Sequence, residues 1–372
     1  MRADQIHPAR PQTLVVHALG RRVRVCARGP GAAEFCSHFS TAWRQLLLID
    51  ADPDVDDEVS LVVPDRTEQT ISELMAVAES QITLKAIQGN VGTGVLLHAA
   101  ALTGESGGAT LLVGPSGAGK TTAAQYFGRH HGYLTDEIAL VRSTGTVSPY
   151  PKPLSVAGPL ATAKTQRSPN DLDLATPPAG EPALERIILL DRRPDAGEHA
   201  RVSRLDLTDG IFALVPQISS LTATPRPLVT LARLIARVGG VEQLTYRSID
   251  DLDPYGALPT SSPFDSDELA FSVPAESPTH STPRIDDGRG LVRTRPHDAI
   301  ETRDALILAI RDSVTALSGV SRSIWLACER PRSSAEVLDA VRREHGPFPQ
   351  DSEITASHAD QLVQHGVLRW LS

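Results

Sequence analysis

Lysine is nearly missing from this chain. Of 36 basic residues among 372, only Lys85, Lys120, Lys152 and Lys164 are lysines. A GC-rich coding sequence accounts for such a bias. Lysine then survives where a compact ammonium is needed and a planar guanidinium will not serve. Cysteine is as scarce. Cys26, Cys36 and Cys328 are odd in number and far apart, which builds neither a disulfide framework nor a zinc site. Long apolar runs are lacking too: no eighteen-residue stretch would span a membrane as a helix. The first residues, MRADQIHPARPQ, have no apolar signal core. Net positive charge is also absent. A formal charge of −9 argues against a general nucleic-acid binder, because phosphate backbones select basic surfaces. These absences predict a cytoplasmic protein with neither membrane nor nucleic acid among its partners. What remains is ordinary globular composition, 41% apolar and 22% charged, with length for two or three domains.

The pattern along the chain predicts an α/β protein. Short apolar runs (TLVVHAL, RVRVCA, LLLID, VSLVV) surround a helical segment near Phe35–Leu46, and residues 69–88 read as a second helix from the spacing of Ile71, Leu74, Met75, Val77 and Ala78. VLLHAAAL, the turn TGESGG and ATLLVG read as a hairpin. ERIILLD reads as a strand, and PRPLVTLARLIARV as a helix with proline at its start. From about Asp251 to Gly290 the chain is rich in Pro, Ser and Asp, as in a linker. Beyond it, DALILAI reads as a strand. SSAEVLDAVRREHG reads as a helix with a capping box at Ser333 and Glu336, closed by Gly346. The expected domains are 1–88, an N-terminal α/β subdomain; 89–252, a phosphate-loop core; 253–289, the linker; and 290–372, a small separate unit.

Gly114-Pro-Ser116-Gly117-Ala118-Gly119-Lys120-Thr121-Thr122 carries the G-x-x-x-x-G-K-[ST] pattern between a strand and a helix. Its glycines let backbone N–H groups turn around phosphate oxygens, Lys120 reaches the β- and γ-phosphates, and the Thr121 hydroxyl ligates Mg²⁺. ATP and Mg²⁺ are the ligands this implies.

GYLTDEIALV then sets two adjacent carboxylates, Asp136 and Glu137, in an apolar run. Buried carboxylates are costly unless paired or bound to a cation. A helix from Thr122 to His131 carries the chain roughly 15 Å away, and four extended residues bring it back about 13 Å. The couplet is therefore expected at the phosphate level, its members on different faces. Two weaker signals lead nowhere firm. Asp50 to Asp56 opens like a calcium loop but lacks the glycine and glutamate that complete one. Asp191 resembles a Walker-B acid but reads as structural.

HAAAL, GPSGAGKTT, GYLTDE and PYPKPLSV, in that order, resemble the HPr serine kinase/phosphorylase fold, which shares its phosphate loop with phosphoenolpyruvate carboxykinase. The resemblance covers roughly residues 90–250. It implies that Asp136 takes the proton from an acceptor serine, that Glu137 assists the metal, and that His98 contacts phosphate. The Glu-x-Arg-Gly-Leu-Gly-Ile signature of the bifunctional enzymes is absent, which argues against phosphorylase activity and against HPr as target. Three of the four lysines fall in the matching segments, and Lys152 or Lys164 is expected to neutralise phosphate charge during transfer.

Residues 290–372, from SGVSRSIWLACERPRSSAEVLDAVRREHG to HGVLRWL, resemble the PqqD-like winged-helix family. That resemblance implies binding of the leader segment of a ribosomally made precursor peptide, by strand addition to a sheet edge. Together the halves imply ATP-dependent phosphorylation of a Ser or Thr hydroxyl on such a peptide. Other peptide-modifying enzymes are expected partners, and the family resemblance adds a homo-oligomer. Two other readings stay open: a kinase for a small molecule such as free serine, and a nucleotide-driven binding switch without phosphoryl transfer.

Overall fold

The computed structural model describes residues 12–49, 54–64, 68–104, 106–157, 164–197, 199–219, 221–252, 266–274 and 290–371. Three of the four apolar runs become strands β1 (Gln12–Ala18), β2 (Arg21–Arg28) and β3 (Asp57–Val62), whereas the described part of LLLID makes only a single bridge from Leu47 to Val16. β1 and β2 form an antiparallel hairpin, and β3 adds parallel to β2. Helix α1 (Ala32–Ala42) and the long helix α2 (Glu68–Asn90) accompany this sheet. Phe35, Phe39 and Trp43 fill the core between them together with Met75, Ala78 and Ile82 of α2.

The second sheet follows the turn at residues 91–93. VLLHAAAL, expected as one strand, breaks at His98 into β4 (Gly94–Leu97), which lies in a separate three-stranded sheet, and β5 (Ala99–Thr103), to which β6 (Ala109–Val113) returns antiparallel. The phosphate-loop sequence then leads into α3 (Lys120–Phe127), β7 (Tyr133–Thr135), β8 (Ala139–Arg142) and β9 (Val147–Ser148). The hairpin β10 (Leu154–Ala157) and β11 (Lys164–Arg167) precedes β12 (Leu184–Arg192) and β13 (Arg201–Leu205). After helices α4 (Leu207–Leu214) and α5 (Pro227–Arg237), β14 (Val241–Tyr246) completes a six-stranded sheet of order β13-β14-β12-β6-β5-β7. β12 runs parallel to both β6 and β14, while β5 is antiparallel to β6 and to β7. The carboxyl ends of β14, β12, β6 and β7 therefore lie along one edge, the usual location of ligands in α/β sheets.

Helix α3 is shorter than the expected 122–131. Its capping residue is Gly128, and the N–H groups of His130 and His131 both turn back to the Phe127 carbonyl, so the chain leaves the helix early.

The chain divides into two compact units by space rather than by sequence order. One holds residues 1–204, 216–224 and 241–262; the other holds 205–215, 225–240 and 263–372. Helices α4 and α5, placed by sequence in the phosphate-loop core, thus belong with the C-terminal residues. There, β15 (Phe271–Ser272), β17 (Asp298–Thr302), β18 (Leu306–Ile310) and β19 (Ser313–Leu317) form a four-stranded antiparallel sheet. Helices α6 (Gly319–Ala327), α7 (Ser334–His345) and α8 (Asp351–Gln364) follow, and β16 (Gly290–Arg293) pairs antiparallel with β20 (Leu368–Leu371). The expected capping box at Ser333 and Glu336 is present, and Gly346 ends α7 at φ +73°. Much of the expected linker, 253–265 and 275–289, lies outside the described residues. No helix among the described residues is long and apolar enough to cross a membrane.

Asp298 anchors α5 within this unit. Its buried carboxylate accepts from the backbone N–H of Leu228 at 2.8 Å and of Val229 at 3.0 Å, where the helix N-terminus favours negative charge. Asp298→Ala is expected to destabilise this unit by about 2–3 kcal/mol, because two buried donors lose their partner. Asp298→Asn, which keeps an acceptor oxygen, loses less. Urea denaturation followed by the fluorescence of Trp325 and Trp370 checks both.

Candidate phosphate-loop site

β6 delivers the loop to the carboxyl edge of the sheet. Gly117 and Gly119 adopt φ +83° and +92°, a left-handed conformation that glycine takes without penalty. A Cβ on Gly117 would meet nothing within 4 Å, whereas one on Gly114 would lie 2.9 Å from the Ala118 Cβ. Ser116, Gly117 and Thr122 are exposed, and Ala118 and Lys120 are buried. The Lys120 ammonium donates to the carbonyls of Gly114 at 2.7 Å and Pro115 at 3.2 Å. Burial lowers its pKa from the ordinary lysine value.

Asp136 and Glu137 sit in a bend between β7 and β8 rather than within a strand. The bend lets them part. Asp136 is buried, and its Oδ2 accepts from the Thr121 hydroxyl at 3.1 Å. Its Oδ1 accepts from the Tyr133 hydroxyl at 3.1 Å. The Glu137 side chain stays 39% exposed, enough for an incoming group to reach it. Pairing of Ala99 with Val113, and the bond from the Ala99 N–H to the Glu137 carbonyl, set the couplet level with the start of the loop.

Lys152, from PYPKP, joins these groups. Its ammonium is 3.1 Å from Asp136 Oδ1, 3.1 Å from Glu137 Oε2, and in direct contact with Glu79 Oε1. Burial alone would lower the Lys152 pKa; the carboxylates of Asp136, Glu79 and Glu137 overcome it and hold the ammonium well above its ordinary value. Burial raises the Glu79 carboxyl, with Lys152 opposing. Burial, with Asp136 nearby, also pushes the Tyr133 phenol well up, so it stays a donor. His98, half-buried between β4 and β5, is held below its ordinary pKa by burial and by the Lys120 charge, against the pull of Glu137 and Asp136. It is a neutral imidazole at pH 7.

The structure thus brings Lys120, Thr121, Asp136, Glu137, Lys152 and His98 to one end of the sheet. Lys164 lies on β11, its side chain outside what is described. Asp191 accepts from Gln243 at 2.6 Å and Thr245 at 3.0 Å and pairs with Arg193, a saturated set of partners.

No protein-family model and no curated protein matches the chain. Among solved structures it is similar to the HPr(Ser) kinase/phosphatase from Coxiella burnetii. Identity is 10%, coverage is 42% of this chain and 87% of that chain, and the TM-score is 0.22. At that score the chemistry rests on the residues themselves.

They fit the expected ligands. Mg²⁺ in phosphate-transfer sites is commonly held by one or two carboxylates plus substrate phosphates. Thr121 and Asp136 supply such a partial set. No cluster of three or more His, Cys, Asp or Glu suited to a metal exists among the described residues.

Sequence reading missed Glu79. It lies on the buried stripe of α2, four residues after Met75 and three before Ile82. An acid on an apolar helical face was the available signal. Gln166 and Ser155 complete its shell through Oε2. A second, separate concavity of about 320 Å³ lies in the C-terminal unit, lined by Leu291, Val337, Leu338, Ala359 and Trp370 beside the buried Thr355. The Thr355 hydroxyl has no hydrogen-bond partner.

Lys152→Met strands three carboxylates around an apolar side chain and is expected to cost about 3–5 kcal/mol. A Glu79→Gln/Lys152→Met double variant recovers part of this, and the double-mutant cycle measures the coupling. Because the folded pKa of Lys152 is raised, its stabilisation is whole below the unfolded value of about 10.5 and is lost as pH climbs through the folded value. Wild type should hold its urea midpoint up to about pH 10 on this account. The His98 ring, followed by NMR, should titrate below about 6.5, and Lys120→Met should move its midpoint upward.

Proposed function

We propose that this protein transfers the γ-phosphoryl group of ATP to a Ser or Thr hydroxyl of a ribosomally synthesised precursor peptide. The leader of that peptide is held by residues 290–372. The observation that carries the reading is the bond between the phosphate-loop hydroxyl of Thr121 and the buried Asp136, with the partly exposed Glu137 joined to it through Lys152. A merely structural glycine turn has no need of a carboxylate couplet with a buried cation at its base.

Roles follow from access. Lys120 exchanges the Gly114 and Pro115 carbonyls for phosphate oxygens, joined by the loop N–H groups of Gly114 and of Ser116 to Thr122. Thr121 and Asp136 hold Mg²⁺, which supplies charge neutralisation on the transferring group. Asp136 is buried and Glu137 is partly exposed, so Glu137 is the member able to meet an incoming hydroxyl. This reverses the division that the family resemblance implied. The acceptor oxygen forms its bond to the γ-phosphorus, the bond to the bridging oxygen of ADP breaks, and the hydroxyl proton passes to Glu137. Lys152 keeps the couplet oriented as charge develops, and neutral His98 offers a hydrogen bond rather than a positive charge. The leader assignment is supported by the C-terminal concavity, where the unpartnered Thr355 hydroxyl and the exposed Trp370 suit a peptide carrying an apolar side chain.

Incubation with ATP, Mg²⁺ and a precursor peptide encoded beside the gene should give a product one phosphoryl group heavier by intact mass. Glu137→Gln should slow transfer at least about 10²-fold while Mg²⁺-dependent nucleotide binding persists; Asp136→Asn should lose the Mg²⁺ dependence. Equal rates with leaderless peptide or free serine would favour a small-molecule kinase. ATP consumption without mass gain would favour a switch.

A further inference from the structure

The carboxyl edge of the main sheet has two sides. The phosphate loop leaves β6 in the middle. Asp136 follows β7, two strands away in one direction. β12 and β14 lie one and two strands away in the other. At about 4.8 Å per strand, both flanks reach roughly 10 Å from β6. A nucleotide with its terminal phosphate toward Asp136 extends its other end over β12 and β14.

That side holds an open cleft of about 630 Å³, lined by Arg192, Pro194, Arg247 and Ser248, within the ~300–1,000 Å³ range of small-ligand sites. Its connection to the loop is direct. Arg192 is the register partner of Tyr246, so the two side chains share a face. Leu190, two residues before Arg192 on that same face, packs in the core with α3. The Tyr246 hydroxyl donates to the Ala118 carbonyl of the loop at 3.2 Å. It lies 3.3 Å from where a Gly119 Cβ would stand. Burial raises the Tyr246 phenol, and the Arg192 charge opposes that rise, which places the guanidinium within electrostatic reach of the loop's tyrosine.

Both guanidiniums of the cleft are held at an edge. Arg192 Nε donates to the Arg247 carbonyl at 3.3 Å, and Arg247 pairs with Asp251 at 3.1 Å. A planar ring suits such a site, because guanidinium faces held at an edge stack on aromatic systems.

We propose that the Arg192–Arg247 cleft receives the nucleoside of the triphosphate, its base stacked on the guanidinium faces. The inference rests on the phosphate-loop reading above and adds the part of the ligand that the loop does not touch. Arg192 and Arg247 are then the residues through which the protein distinguishes a nucleotide from a bare polyphosphate.

Calorimetry on the full chain tests this with two probes, Mg·ADP and Mg·tripolyphosphate. Arg192→Ala/Arg247→Ala should weaken Mg·ADP by at least about tenfold while tripolyphosphate changes by less than about twofold, which also shows that the variant loop is folded. Arg192→Lys, which keeps charge but not the flat face, should weaken Mg·ADP alone as well. Unchanged Mg·ADP affinity, or equal weakening of both probes, overturns the proposal while leaving the loop reading intact. Wild type binding neither probe overturns both.

Discussion

One buried ammonium holds the site together. Lys152 is enclosed by Glu79, Asp136 and Glu137, which come from a helix of the first sheet layer and from the bend after β7. A lone charge in such a place would be prohibitive, and so would any one of the carboxylates. Each is tolerable because the others are there. The contrast is Lys85, whose pair with Asp57 is 40% exposed on the lysine side and belongs to the class of surface contacts worth about 0–1 kcal/mol. The same residue type makes a solvated surface contact in one place and a buried, three-carboxylate contact in the other.

The Lys152 cluster explains why the N-terminal layer matters to a site built on the second sheet. α2 packs Met75, Ala78 and Ile82 into the core with α1 and β1–β3, and it presents Glu79 to Lys152 from the same buried stripe. Core packing therefore fixes the position of a charged group. The phosphate loop, by contrast, is fixed locally by its two left-handed glycines and by strand β6.

What could be read in the sequence was what is local. The phosphate loop, the β5–β6 hairpin, the span of α2 and the capping box of α7 depend on residues within a few positions of one another, and each is found where the pattern puts it. What could not be read depends on long-range packing. Glu79 and Lys152 are 73 residues apart, and nothing in periodicity links them. α4 and α5 group with the C-terminal residues because the apolar face of α5 packs on β17 and β18, and an amphipathic face does not announce its partner. Asp136 and Glu137 looked like strand residues because their neighbours are apolar. The bend that separates them is set by partners on β5 and α3.

The Lys120 contacts carry a kinetic consequence. Because the side chain braces its own loop through the Gly114 and Pro115 carbonyls, the anion cradle is shaped from within and does not wait for a guest to mould it. On the proposed function, arrival of an anion would be a swap of oxygen partners at a ready-made seat, with encounter, not refolding, setting the pace of capture.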